Sequence, residues 1–349
     1  TGTFTIISVI SSTPGLWPKL MPEINMEPFP KKEDGIVDAG DRDVLVRIGT
    51  LLNARFPKSR KLYVMGSGVG YGERPSLGDN TKINCVRGPL SAKALDLPES
   101  YAPIDAGVLV NRFLPDAPKV KYKFSYMPQI SSVVKCPGVW EKICHELDFG
   151  YLDPTYSVDT TIRNIRETEV LLTESMHGAI IAEALRVPWI PIVTRQEILP
   201  FKWQDWCYSI NEQYEPVHVS PIYEKYRESL FRNMKEKISI NKSMSMLKRA
   251  SQTQPTLGKL EVLNSKSKYL LEKIEQFKKD YKNEVHITEL PPKVWSNVYF
   301  DWLLKNLPDY ITDIDQKSTK ENVLIILKYK SRLNKIVLVG GSNKMPVHP

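Results

Sequence analysis

Cysteine and histidine are scarce in this chain, and neither is spaced to hold a metal. The four cysteines, Cys85, Cys136, Cys144 and Cys207, form no CxxC pair, and none stands at a chelating interval from the five histidines. That argues against a zinc ribbon or a disulfide framework, and the chemistry is expected to be metal-independent. Four scattered thiols suit a reducing cytoplasm. No run approaches the roughly 18 consecutive apolar residues of a membrane-spanning helix. Thr1 to Ser12 carries neither a basic n-region nor a cleavage site. A soluble, unexported, cytoplasmic protein is therefore expected. No internal repeat of about 20 to 50 residues is visible, so a solenoid or propeller is not expected either.

What is present is ordinary globular material. With 349 residues, 42% hydrophobic and 25% charged, the chain can build a sizeable core and about two domains. The formal charge of +8 is concentrated in one place. Residues 217 to 283 hold 15 lysines and arginines against 7 acids, an excess equal to that of the whole chain, so the remainder is formally neutral. A basic, helix-patterned segment of this kind can meet nucleic acid, an anionic membrane surface or nothing but water. Nucleic acid is not expected as a partner.

From Lys61 to about Tyr208, short apolar runs alternate with stretches of helical period, the pattern of a parallel sheet wrapped by helices. Expected strands are Leu62 to Met65, Ile83 to Val86, Val108 to Val110, Phe124 to Met127, Val170 to Thr173 and Trp189 to Val193. Expected helices are Pro89 to Leu95, Gly138 to Leu147, Val158 to Arg166 and Gly178 to Leu185. The stretch Phe113 to Lys121, FLPDAPKVK, breaks the alternation with two prolines and a basic flank, which places a linker there. The expected organisation is an α/β chain of two Rossmann-like, doubly wound halves, 1–115 and 120–216. A basic helical segment follows over 217–283, broken at Pro255 and Gly258, and then a segment, 284–349, without an assigned role.

Three places carry candidate chemistry. After the apolar run LYVM comes GSGVGYG, Gly66 to Gly72, whose small residues let backbone N–H groups approach an anion or a sugar, or simply make a tight turn. It is not a dinucleotide fingerprint, because Tyr71 stands where the last glycine is needed, and no Gly-Lys-Ser/Thr follows. In CVRGPLSAKALDL, Arg87 and Gly88 lie between a strand and a helix opened by Pro89. Free N–H groups and an arginine fork at a helix start suit carboxylate or phosphate; the alternative is an arginine paired with an acid such as Asp105. In VLLTESMHGAIIAEALRVPWIPI, His177 and Gly178 stand at a helix entry beyond a strand end, where doubly wound sheets gather their ligands. There an imidazole can give or take a proton near neutral pH, with Gly178 leaving room beside it for a substrate; the alternative is a capping or core histidine.

These residues resemble the polysaccharide pyruvyl transferases, in particular the branch that decorates bacterial exopolysaccharides. The resemblance is carried by LWPKLMPE (Leu16 to Glu23), VLVRIGTLLNARFP (Val44 to Pro57), VMGSGVGYG, VRGPLSAKAL, SYMPQ (Ser125 to Gln129) and TESMHGAIIAEALRVPWIPI, over roughly Leu16 to Asn211. It implies a fold like the B-type glycosyltransferases, with two Rossmann-like domains facing a cleft. It also implies phosphoenolpyruvate as co-substrate with no further cofactor, and a sugar or lipid-linked oligosaccharide as acceptor. His177 and Arg87 would be catalytic, with Gly66, Ser67, Gly68, Gly88, Pro89, Gln129, Glu174, Ser175 and Gly178 around the substrates. Arg74 and Arg195 are candidates for a second cation. Two departures stand out. SSTPG (Ser11 to Gly15) replaces an Asn-Phe-Gly-Asp type segment, and Gln129, which cannot titrate, stands where histidine is common. The rival readings are a nucleotide-sugar glycosyltransferase and a non-catalytic glycan-binding relative.

Overall fold

A computed structural model describes residues 5–9, 20–21, 25–28, 43–53, 61–70, 72–113, 118–222, 232–282, 284–287, 296–306, 311–316, 318–319, 323 and 325–329. SSTPG, most of Leu16 to Glu23, Tyr71 and the middle of the expected linker lie outside the described residues. The chain divides into two compact units, Thr1–Leu271 and Glu272–Pro349.

The first unit holds two five-stranded sheets, each wholly parallel. One comprises β1 (Thr5–Val9), β2 (Asn25–Pro28), β3 (Asp43–Val46), β4 (Leu62–Ser67) and β5 (Thr81–Val86) in the order β2-β1-β3-β4-β5. The other comprises β6 (Tyr122–Met127), β7 (Gly150–Tyr151), β8 (Thr168–Thr173), β9 (Trp189–Val193) and β10 (Val217–His218) in the order β10-β9-β8-β6-β7. Phe113 to Lys121 falls between the two sets of strands. Parallel strands covered on both faces read as continuous apolar runs, and β4, buried along its whole length, is such a run. Helices α1 (Pro89–Ala94), α2 (Ile130–Lys135), α3 (Val139–Glu146), α4 (Val158–Arg166), α5 (Met176–Ala184) and α6 (Pro200–Ser209) connect the strands.

Each helix start has a local cause. Ser157 caps α4 by accepting from Thr160 N at 3.2 Å, and Ser175 caps α5 by accepting from Gly178 N at 3.3 Å. The second cap starts α5 two residues before the expected Gly178. All but one residue of α5 is buried, and apart from His177 and the buried Glu183 its sequence carries only apolar residues and glycine. The expected strand at Val108 to Val110 is instead a 3-10 helix, Ala106–Phe113. Asp105 turns the chain there: its Oδ1 accepts from Gly107 N at 2.8 Å and its carbonyl from Val108 N at 3.2 Å.

The basic segment forms α7 (Arg232–Ala250) and α8 (Leu260–Lys282). Leu247 and Ala250 of α7 join Tyr126, Trp140, Leu172, Ile190 and Ile192 in the core of the second sheet. Burying side chains of this size contributes about 1.5 to 3 kcal/mol each, which fixes the helix to the sheet. The connection between α7 and α8 is pinned as well. Thr256 and Trp189 exchange backbone hydrogen bonds of 2.8 and 2.9 Å, and buried Glu183 accepts from Trp189 Nε1, Arg186 and Gly258 N. The boundary between the two units falls within α8.

The second unit is not simply a helical extension. It contains β11 (Glu284–Ile287), β12 (Ile311–Gln316) and β13 (Ile325–Tyr329), antiparallel in the order β11-β13-β12, and α9 (Ser296–Asn306). Tyr299 and Leu303 pack on Ile325 and Leu327, so the runs VWSNVYFDWLL and VLIIL supply its core. The run KIVLV lies outside the described residues. Among the described residues no helix is long and apolar enough to cross a membrane.

Candidate active site

The end of β4 and the start of α1 are built around Arg87. Gly66 adopts φ +91°, at a point where the pairing of β4 with β5 shifts register. A side chain there would be strained, so glycine is required by the backbone itself. Ser67 is buried, donates to Gly49 O at 3.1 Å and accepts from Leu51 N at 3.3 Å, which ties the loop to the segment after β3. A Cβ on Gly68 would stand 2.2 Å from Arg87 Cζ, so the guanidinium lies directly over this glycine.

The guanidinium is fully buried and engaged on three sides. Nε donates to Asp205 Oδ2 at 3.0 Å, one terminal nitrogen to Thr50 Oγ1 at 2.9 Å, and the other to Val69 O at 3.2 Å. Asp205 belongs to α6 in the second half of the unit, so this ion pair links the two halves. Its carboxylate also accepts from Ser91 N at 2.9 Å and Ser91 Oγ at 2.5 Å. The anion at the mouth of α1 is thus the protein's own. Gly88 makes this approach possible, since a Cβ there would fall 2.1 Å from the Asp205 carbonyl oxygen. Pro89 opens α1 at a position that needs no N–H. Arg87 is therefore paired with an acid, as one of the sequence readings had it, but the acid is Asp205 rather than Asp105.

His177, in the first turn of α5, lies close enough to Arg87 and Lys202 for their charges to act on it. The residue is partly buried by area, yet its Nε2 has almost no contact with solvent. Burial first, then the Arg87 and Lys202 charges, push the imidazole down to about 4. It is therefore neutral at physiological pH. Gly178 makes room for the protein itself: a Cβ would sit 2.7 Å from Met127 Sδ and 2.8 Å from Thr173 Oγ1.

The bonds of Glu174 run toward α2. Its carboxylate accepts from Gln129 N at 2.7 Å and from the Thr194 hydroxyl. Burial raises its proton affinity, and these donors pull it back. Glu174 also raises the proton affinity of buried Tyr126. Gln129 stands before α2 and meets Glu174 through its backbone rather than its side chain.

Beyond Thr194, a cavity of about 1370 Å³ opens at the carboxyl ends of β9 and β10, the crevice where such sheets place ligands. Arg195, Lys135, Gln204, Tyr214 and His218 are among its lining residues. Arg74 is instead a surface residue paired with Asp96 at 2.7 Å. Among the described residues no group of three or more His, Cys, Asp or Glu could hold a metal ion.

The structure thus brings Arg87 and His177 together, with Gly66, Ser67, Gly68, Gly88 and Pro89 around the first and Ser175 and Gly178 around the second. Glu174 stands at the end of β8, the strand that leads into His177, and Gln129 follows the neighbouring β6. Asp205, Lys202 and Thr50 were missed by sequence reasoning. One signal for Asp205 was available: an acid between Trp203 and Trp206 on a short helix has little chance of facing water.

Over 181 residues, 50% of this chain and 56% of the relative, the sequence is 39% identical to a curated protein of Rhizobium meliloti (strain 1021). The chain is similar to the succinoglycan biosynthesis protein ExoV. It spans little more than half the length of that relative. No family model matches. A crystal structure of an uncharacterized protein from Klebsiella pneumoniae overlaps 56% of this chain and 85% of its own, at 13% identity and a TM-score of 0.35, too slight a likeness to carry an argument.

Proposed function

We propose that the chain acts in exopolysaccharide biosynthesis, transferring the pyruvyl group of phosphoenolpyruvate to a pair of sugar hydroxyls and releasing phosphate. The observation that carries this reading is a neutral, desolvated His177 within the field of two cations, at the meeting of two parallel α/β halves. The 39% identity to a succinoglycan biosynthesis protein supports the polysaccharide context. The two halves are read as the two sides of a cleft like that of the B-type glycosyltransferases.

In this reaction the methylene carbon gains a proton, two sugar oxygens bond to the adjacent carbon, and the bond from that carbon to the phosphate oxygen breaks. Of the two hydroxyl protons, one matches the proton gained by carbon and the other leaves with phosphate. A neutral imidazole can accept a hydroxyl proton at once. The arriving anion then raises its proton affinity, so the same group can return a proton to carbon. Arg87 contributes field and rigidity, since its nitrogens already serve Asp205, Thr50 and Val69. The direct cation for the donor is assigned to Arg195, on the cavity wall. Donors aimed at developing charge are commonly worth about 3 to 4 kcal/mol. The basic helices α7 and α8 are read as holding the enzyme at an anionic leaflet, near a lipid-linked acceptor, with each basic residue adding about 1 kcal/mol at most.

The test mixes purified protein, phosphoenolpyruvate and a lipid-linked oligosaccharide and follows phosphate release together with the mass of the sugar product. Phosphate release with the sugar heavier by one pyruvyl group is expected. Thermal stabilisation by nucleoside diphosphates but not by phosphoenolpyruvate would replace this reading with nucleotide-sugar glycosyl transfer. Binding of the acceptor without phosphate release would make the protein a glycan binder.

A further inference from the structure

Asp105 is a buried acid that the proposed reaction does not use. Its side chain has no exposed surface. Oδ1 accepts from Gly107 N at 2.8 Å, whereas Oδ2, equally shielded, has no hydrogen-bond partner among the described residues. Several elements close around this carboxyl. The 3-10 helix that follows it packs against α5, and a Cβ on Gly107 would meet Ile180 of that helix at 2.9 Å. On another side the helix approaches the glycine loop, where a Cβ on Gly66 would lie 3.7 Å from Ala106 Cβ.

Arg87 at the end of β5 and Asp205 on α6 are the charged groups that act on Asp105. Of the titratable groups on α5, His177 is neutral and Glu183 is committed to Arg186, Trp189 and Gly258. Lys202 on α6 acts on His177. One guanidinium thus acts on two buried carboxyls, and Asp205 already holds its Nε. With Asp105 ionised, the three fully buried groups Arg87, Asp205 and Asp105 sum to one negative charge before any ligand arrives, and the half-buried Lys202 faces His177. An anion settling beside Arg87 and His177 would meet that charge at low dielectric, where repulsion is strong. The orphaned Oδ2 is where a proton removes it.

We propose that Asp105 is a positioning residue of this site, taking up a proton as an anion binds beside Arg87 and His177, so that anion and proton enter together. The inference rests on the donor reading above in taking phosphoenolpyruvate as the first such anion. Burial, opposed by the Gly107 N–H and by Arg87 and assisted by Asp205, raises the carboxyl to about 6 in the free protein. An approaching anion raises it further. Anion affinity in the wild type therefore falls as pH rises above that value, about tenfold per unit at the steepest, relative to a variant that cannot titrate.

The experiment measures binding of phosphoenolpyruvate and of inorganic phosphate by calorimetry, in buffers of different ionisation enthalpy, from about pH 6 to about pH 8. Wild-type protein is compared with Asp105→Asn, which keeps the shape and the acceptor for Gly107. The ratio of the two affinities cancels the ligands' own ionisation. Wild type is expected to take up more protons per anion than the variant, and its relative affinity is expected to fall with pH. In parallel, the carboxyl carbon resonance of Asp105 is followed with pH in the free protein, where a midpoint near 6 is expected. Equal proton counts in wild type and variant for both anions would overturn the inference, as would a carboxyl titrating in the ordinary aspartate range. Phosphate behaving as described while phosphoenolpyruvate fails to bind would leave this inference standing and remove the donor reading.

Discussion

Replacing Arg87 by methionine tests whether the arginine belongs first to the fold. The variant keeps length and apolar bulk but deletes the bonds to Asp205 at 3.0 Å, Thr50 at 2.9 Å and Val69 at 3.2 Å. Asp205, with no exposed surface, would retain only the N–H and hydroxyl of Ser91 against its charge. Breaking a buried pair by removing one partner costs about 3 to 5 kcal/mol, because the other charge is left uncompensated. Against a total of about 5 to 15 kcal/mol for a folded domain, this is a large fraction. Urea unfolding should show a markedly lower midpoint for Arg87→Met. Adding Asp205→Asn removes the orphaned charge while leaving an acceptor for Ser91, so the double variant should recover much of the loss, with a coupling of about 1 to 3 kcal/mol. The His177 resonance supplies a second readout: losing the Arg87 charge and exposing that of Asp205 both move its midpoint upward from about 4. A single variant as stable as wild type, with an unmoved His177, would refute the reasoning and return Arg87 to the role of a ligand-binding fork.

Other outcomes follow from the same geometry. Gly88→Ala should destabilise by about 1 to 3 kcal/mol, since its Cβ meets a backbone oxygen that cannot yield, and thermal unfolding checks this. His177→Gln should lower turnover by about 100-fold to 10,000-fold with the fold intact, measured as phosphate release. The folded-state value of His177 lies below its ordinary 6.5, so the stability it contributes is present above that pH and is lost as pH falls toward about 4. Asp105 has the opposite sign: raised from 3.8 to about 6, it contributes stability below the lower value that is lost as pH rises through the higher. Over about pH 4 to 6 the two slopes oppose, so unfolding curves of Asp105→Asn should show a steeper acid loss than wild type. Arg195→Ala should raise the phosphoenolpyruvate concentration needed for half-maximal rate more than it lowers turnover, as steady-state kinetics would show.

The sequence revealed what was written in neighbouring residues. Trp189 to Val193 is a continuous apolar run after Pro188, and its strand bounds were legible. The cap at Ser175 is legible in principle, but the polar TES reads equally as a turn, which puts the helix start at Gly178 instead of Met176. Val108 to Val110 misled because three buried apolar residues fit a strand and a buried 3-10 turn equally, and the Asp105 bonds that decide it are not visible in periodicity. Arg87 was found from its own neighbourhood, but its partner lies 118 positions away. No local pattern announces such a pair. The small residues of the glycine loop suggest close approach, but the group that lies over Gly68 is Arg87 of the protein itself.

The arrangement gives α6 an unusual share of the site. Asp205 on this helix fixes the Arg87 guanidinium from the other half of the unit, Lys202 joins burial and Arg87 in lowering the proton affinity of His177, and Gln204 lines the cavity with Arg195. Three neighbouring positions thus act on an arginine, a histidine and a cavity that come from different strand ends. Trp203 and Trp206, fully buried on the same helix, hold it in place. A rigid helix anchored by tryptophans cannot move one of these groups without the others. Displacing it would weaken the buried ion pair, alter the charge felt by the imidazole and reshape the cavity wall together. The integrity of the core around α6 and the chemistry of the site are therefore one property, and substitutions among its buried residues should be read as changes to both.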